Sequence, residues 1–244
     1  MINVDELGAR VILSFADGKI QITESTILGI IIAVILAVLG IWLGSGLKTR
    51  PEGKQVVAEF IVDKLYSFTE NTMGKANLGF APYIGTIFGF IFLGSCLGLF
   101  GLRPVTADLN VTFALSIMTF LLIQINAVRS HGVKGRLKEM CDPYPFMFPL
   151  KILEDITLPV SLSLRLFGNI LGGYIIVDLW LHFMGWLSSF MTDIPFLRAV
   201  TVLPLNGFFD IFEPAIQTLI FTMLTMVFLT NAIGMVSDEV NKEK

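Results

Sequence analysis

Uncharged apolar stretches alternate with short charged segments along the chain, and their lengths set the first expectations. Residues 26–46, TILGIIIAVILAVLGIWLGSG, carry no charge and suffice to cross a bilayer core of ~30 Å once as a helix. Trp42, near the end of that run, suits an interfacial position. Two more spans are expected within 82–128. The first, PYIGTIFGFIFLGSCLGLFGL, is rich in glycine and can pack closely on neighbours; a break at Arg103 and Pro104 separates it from the second, which runs to Ala127. Residues 151–235 hold two further stretches, 156–190 and 200–234, each about ten residues longer than a crossing needs, so tilt, kink or bending must absorb the excess. The pattern predicts an all-α polytopic membrane protein of about five transmembrane helices.

The segments between spans assign sides. Residues 1–25 mix acids with apolar residues and lack a basic stretch leading into an apolar core, so they are expected to be a loosely ordered extracytoplasmic end rather than a signal peptide. In 48–81, Lys48, Arg50, Lys54, Lys64 and Lys75 alternate with Glu52, Glu59, Asp63 and Glu70, while Val56, Phe60, Ile61, Leu65 and Phe68 recur at helical spacing. That periodicity fits an amphipathic helix on the membrane surface and equally a solvated helix in a loop. Residues 129–150 are basic again, with Arg129, His131, Lys134, Arg136 and Lys138, and then break at Pro143, Pro145 and Pro149. Two basic loops separated by two spans agree with the positive-inside rule: the N-terminus lies outside, and after five crossings the polar tail 236–244, VSDEVNKEK, lies in the cytoplasm.

Composition narrows the class. A chain of 244 residues that is 54% hydrophobic and 15% charged is not a soluble domain. Its net charge of −3, with Lys and Arg in loops rather than in one patch, argues against a nucleic-acid partner. Cys96 and Cys141 have no CxxC spacing and imply neither a disulfide framework nor a metal site, and His131 has no ligand partners in sequence. A phosphate-binding GxxxxGK[ST] loop, an HExxH pair and a Ser, His and acid arrangement are all missing, so no bond-breaking site and no cofactor are expected.

Ionisable and amide groups inside apolar runs are the candidate chemistry. Arg165 stands in PVSLSLRLFGNILGG, inside an apolar run from Ile156 to Val177. A guanidinium at membrane depth costs from ~3 to more than 10 kcal/mol and must face protein or water. It cannot lose its proton, and snorkelling serves residues near helix ends. Ser161, Ser163, Gly168, Gly172 and Gly173 remove bulk around it and leave a groove that admits another helix closely. Glu154 and Asp155 precede it on the cytoplasmic side; Asn169 follows it, then Asp178 and His182. On the last helix Asp210, Glu213 and Gln217 stand at i, i+3 and i+7, one face of an α-helix. Pro214 lacks the N–H that would bond the Asp210 carbonyl. Thr106 and Asp108 first suit a cap for the third span; the other reading is that the polar cluster, with Asn110, lines a wetted funnel on the outer side. Such groups mark an ion pathway by default.

The string SLSLRLFGN resembles the signature of subunit a of the F-type ATP synthase, the stator channel beside a rotating ring of c subunits. TADLNVT at 106–112 and AIQTLIFTMLT at 215–225 are similar to family motifs too, and the likeness covers roughly Arg50 onward. The resemblance implies that Arg165 faces the ring carboxylates with Asn169 one turn on, and that the last two helices form a long tilted hairpin along the ring. Two offset half-channels would load and unload ions there, with Arg165 between them. Gln217 matches the family's Gln, and Asp210 matches its His or acid. Tyr174 departs from the pattern, standing where many members have Glu or His. Asp178, one turn on, can take over that role or simply hold His182. The implied partners are the c-ring, peripheral-stalk b subunits, membrane lipid and a translocated H+ or Na+. The implied setting is a non-catalytic subunit in a bacterial plasma membrane. A secondary ion-coupled transporter is the alternative, although it usually shows two repeated halves; a structural anchor would not need so many polar groups in its last hairpin.

Overall fold

The computed structural model describes residues 11–15, 20–46, 48, 52–141, 144, 146, 148–190 and 196–240. Five helices among them are long and apolar enough to cross a membrane, over Glu24–Gly44, Lys75–Phe100, Leu109–Ser130, Phe148–Ser188 and Phe196–Ile233. Lipid offers no water to satisfy the backbone, so a spanning chain forms helices or a closed barrel, and continuous apolar runs of about 20 residues select the helix. We label the helices α1 (Glu24–Gly44), α2 (Lys54–Met73), α3 (Ala81–Ser95), α4 (Leu109–Cys141), α5 (Phe148–Ser188), α6 (Phe196–Gly207) and α7 (Glu213–Val240). Short 3-10 turns flank α3 at Lys75–Phe80 and Cys96–Phe100, and a π-helical turn, Phe208–Phe212, joins α6 to α7.

The structure departs from the sequence reading in three places. First, the N-terminal segment expected to be loose contains an antiparallel hairpin, β1 (Val11–Phe15) with β2 (Ile20–Thr23), whose last residue leads directly into α1. Second, the loop expected over 129–150 is largely helical: α4 continues past the membrane span to Cys141, interrupted at Gly132, where φ is 69° and only glycine sits without strain. Third, residues 208–212 wind more widely than an α-helix, with the Glu213 N–H bonded to the Phe208 carbonyl, i to i+5. Pro214 follows at once and has no N–H to continue an α-helical ladder. Expectations that fall on 1–10, Arg50, Pro143, Pro145, Pro195, 241–244 and the side chains of His131 and Lys138 lie outside the described residues.

The chain forms two compact units, one from Met1–Val34, Gly89–Thr112 and Leu164–Leu219, the other from Ile35–Phe88, Phe113–Ser163 and Ile220–Lys244. In the second unit Met73, Ile84, Ile123, Ala127, Met226, Leu229 and Ala232 make a buried apolar cluster. Leu65 and Phe68 of α2 pack against it, while Val56, Phe60 and Ile61 on the same helix stay exposed, so an apolar face of α2 is left open. Gly85 of α3 makes room for Leu65, whose Cδ2 occupies the space a Cβ would need. In the first unit Val105 is wedged between α1 and α3 at two glycines: its side chain lies 3.4 Å from a Cβ built on Gly29 and 3.3 Å from one built on Gly94. Close approach through small residues is how helices pack where lipid removes the hydrophobic drive.

Candidate ion path

Around Arg165 the first unit is open. A Cβ built at Gly168 or at Gly172 meets no atom within 4 Å, and these glycines share a face with Arg165 at i+3 and i+7. The guanidinium itself is exposed and makes no hydrogen bond or ion pair among the described residues. A smooth strip of α5 thus presents one unpaired cation in the middle of a 41-residue helix. Pro159 stands inside that helix one turn and a half before the Arg, where its ring is buried and costs one ladder bond.

A quarter turn away the same helix meets the π turn. Gly173 is buried against Phe209, whose Cδ1 lies 2.8 Å from a built Cβ, and against Glu213, whose Oε2 lies 3.3 Å from it. Gly98, in the turn after α3, is closer still to the other acid: Asp210 Oδ1 lies 2.6 Å from a Cβ built there. Any side chain at 98 would displace that carboxylate. These two glycines let the π turn sit against its neighbours with both acids facing one cavity of about 400 Å³. Its wall also carries Glu24, Arg103, Tyr174 and Asn206. Among the described residues no cation within 4.0 Å pairs with Glu24, Asp210 or Glu213.

Asn169 lies beside this cavity's acids. Its amide nitrogen is buried and faces the Glu213 carboxylate without closing a hydrogen bond of good geometry. The Gln217 Oε1 is likewise buried and without a hydrogen-bond partner among the described residues, but Gln217 is not part of the cavity wall. Of the three residues that the i, i+3, i+7 spacing set on one face, Asp210 and Glu213 reach the cavity, while Gln217 stands one α-helical turn beyond Glu213 on α7 and does not.

Other expected site residues have different surroundings. Asp108 is buried at 4% exposure and is not part of the cavity wall; its Oδ1 accepts the Asn110 N–H at 3.0 Å, which caps α4, and its Oδ2 accepts the Thr23 hydroxyl at 2.9 Å. Asn110 is exposed. Asp178 turns to its own helix: Oδ1 lies 3.4 Å from His182 Nδ1, and that nitrogen is 2.9 Å from the Asp178 carbonyl. Tyr174 lines the cavity and Asp178 does not.

In the second unit Glu154 is exposed, whereas Asp155 is engaged. Its Oδ2 accepts from Gln124 Nε2 at 2.9 Å and from Arg136 Nη2 at 3.2 Å, and the same Arg136 nitrogen reaches Gln124 Oε1 at 3.3 Å. This triangle ties the start of α5 to both sides of the Gly132 break. The described residues hold no group of His, Cys, Asp and Glu suited to a metal ion.

Sequence reasoning missed Glu24, Gly98 and Asn206. Glu24 reads as an ordinary acid at a helix start and Gly98 as one glycine in a run of them; neither carries a signal until the chain folds them against Asp210.

The chain matches the family model described as ATP synthase A chain over residues 26–230. It is 35% identical over 212 residues to ATP synthase subunit a of Moorella thermoacetica, covering 86% of this chain and 90% of that one. It is 33% identical over 218 residues to ATP synthase subunit a of Bacillus subtilis, covering 83% of this chain and 88% of that one. With the protein of Propionigenium modestum named ATP synthase subunit a, sodium ion specific, it shares 30% over 212 residues, 79% of this chain and 68% of the relative.

Proposed function

Because this chain belongs to the ATP synthase A chain family, we propose that it carries the coupling ion along two offset aqueous paths kept apart by Arg165. It is an ion-translocating stator subunit of the membrane sector of a bacterial ATP synthase, a multi-pass protein that works against the c-ring and does not carry the nucleotide chemistry.

The observation that carries the finer reading is the contrast on α5 between the open strip with Arg165, Gly168 and Gly172 and the cavity side with Asn169 and Gly173. The strip is the seat of the ring, whose outer helices can approach where two glycines leave no side chain. The cavity is the outer half-channel. An ion entering it passes Asp210 and Glu213 and neutralises a ring carboxylate. The ring turns that site into lipid, because only the neutral form crosses the apolar boundary cheaply. On return, the fixed charge of Arg165 favours the ionised carboxylate, and the ion leaves on the cytoplasmic side. Arg165 also bars direct passage from one path to the other. Each charge moved yields ~2.3 kcal/mol per 100 mV, which the ring converts into torque.

The two basic loops support an N-terminus outside and a C-terminus in the cytoplasm. The exposed apolar face of α2, with Val56, Phe60 and Ile61, suits lipid and peripheral-stalk b subunits. The coupling ion is H+ or Na+; the ring carboxylate, which this chain does not contain, selects between them. A secondary ion-coupled transporter has the family match against it.

Arg165→Ala tests the reading. In membranes carrying the assembled complex, ATP-driven ion pumping and ion-driven ATP synthesis fall to background while the ring still co-purifies. Arg165→Lys fails as well, since a compact, strongly hydrated ammonium reaches a moving carboxylate poorly from a dry groove. Coupled pumping retained by Arg165→Ala would sink the proposal.

A further inference from the structure

Three of the cavity's wall residues are acids, and one of them has no counterpart in the ion path derived above. Glu24 is the first residue of α1, half-buried, and it lines the same cavity as Asp210 and Glu213. Among the described α-helices only α1 and α7 carry an acid in the first turn, Glu24 and Glu213, and both reach this cavity. A helix start is a favourable place for a carboxylate, so either could be there for its own helix alone. What separates Glu24 from that reading is how its backbone is held.

Thr23 ends β2 and immediately precedes Glu24. Its hydroxyl oxygen accepts the Thr26 N–H at 3.3 Å, capping α1, and its hydroxyl donates to the buried Asp108 carboxylate at 2.9 Å. Asp108 in turn caps α4 through the Asn110 N–H. One carboxylate thus joins the starts of two helices, and the residue it fixes in place is the neighbour of Glu24. Ser25 on the other side is buried at 1% exposure. Thr23 is hydrogen-bonded and buried, Ser25 is buried, and Glu24 between them lines the cavity. Thr23 and Asp108 supply the caps of both helix starts, so neither cap calls on the Glu24 carboxylate.

We propose that Glu24 is a further ion-path residue, a cation collector on the wall of the outer cavity, oriented by the Thr23–Asp108 hydrogen bond. The inference rests on the reading of this cavity as the outer half-channel. Among the described residues the wall carries three carboxylates, those of Glu24, Asp210 and Glu213, against the one guanidinium of Arg103. A low-dielectric cavity of one dominant sign focuses the field and raises the local concentration of the opposite ion. Glu24 therefore acts on how readily the cavity fills with cations and not on the transfer at Arg165.

The test measures ATP synthesis by the assembled complex in proteoliposomes at fixed membrane potential, with outer proton and outer sodium concentration varied separately. In Glu24→Gln the outer ion concentration for half-maximal synthesis rises roughly 3- to 10-fold, with the maximal rate kept. Thr23→Val, which removes the donor to Asp108, moves it in the same direction. Charge rescue distinguishes a collector from a structural residue: in Glu24→Cys, labelled after assembly, a negatively charged methanethiosulfonate restores the half-saturation point and a positively charged one moves it further away. Reagent effects on the unsubstituted chain, which has Cys96 and Cys141, set the baseline. An unchanged half-saturation point in Glu24→Gln, or equal effects of the two reagents, overturns the role of Glu24. Arg165→Ala in the same liposomes tests the underlying reading independently: if it abolishes synthesis while Glu24→Gln behaves as wild type, only the inference about Glu24 fails.

Discussion

Two aspartates that look alike in sequence, each an acid within an apolar helix, occupy opposite kinds of site. Asp155 is closed, with one carboxylate oxygen shared between Gln124 and Arg136. Asp210 is open: it stands in a π turn, against the bare backbone of Gly98, on the wall of a cavity of about 400 Å³, with no cation within 4.0 Å among the described residues. A carboxylate that already has its partners braces the fold. One that a cavity keeps unpaired is available to a passing ion. Intramembrane acids are therefore sorted by what surrounds them and not by their depth in a helix.

The contrast breaks most visibly by substitution at the two positions. Asp210→Asn is expected to lower ion-driven ATP synthesis roughly 100-fold, in the range a positioned proton-transfer group contributes, while the complex still assembles with its ring. Asp155→Asn is expected to do the reverse: thermal stability of the purified membrane sector falls by about 1–3 kcal/mol, because Arg136 loses its carboxylate, while the complexes that survive remain coupled. Thermal unfolding of the two variants side by side, together with synthesis rates normalised to assembled complex, decides the matter. Equal loss of coupling from both would erase the distinction between closed and open sites.

A smaller effect sharpens it. Gly98→Ala puts a methyl where the Asp210 Oδ1 now lies, 2.6 Å from the built Cβ, so the carboxylate must turn away. Synthesis should fall roughly three- to tenfold, equivalent to about 1 kcal/mol of misplaced transfer, with assembly unaffected. Gly168→Ala is the matched control for the cavity, since its Cβ meets nothing within 4 Å; in the assembled complex it probes the ring's approach instead, and a drop in ring co-purification is its readout.

The smallest effect concerns Asp178. Since it contacts His182 and leaves the cavity wall to Tyr174, Asp178→Asn is expected to leave the synthesis rate within about twofold of wild type. A severe loss that Tyr174→Glu restores would make Asp178 the relay that stands in for the missing acid at 174.

What the chain's own order of residues determined was the number of crossings and the place of the unusual charge. Span length, apolar run and a lone Arg165 among small residues are properties read along one dimension, and continuous apolar runs of that length become helices in lipid because a helix satisfies its backbone within the segment itself. The motif strings around Arg165, Asp108 and Gln217 were legible for the same reason. Tertiary structure alone decided which polar groups meet. Gln217 shares a face with Glu213 but stands one helical turn further along α7, and of the three only Asp210 and Glu213 line the cavity. Asp108 is buried between two helix starts because Thr23, far away in sequence, reaches it. Arg136 pairs with Asp155 because the chain breaks at Gly132 and turns. Glu24 and Gly98 join Asp210 only once three separate segments pack together. A periodicity specifies a face, but which face opposes which depends on packing, and packing is a property of pairs that no single stretch of sequence contains.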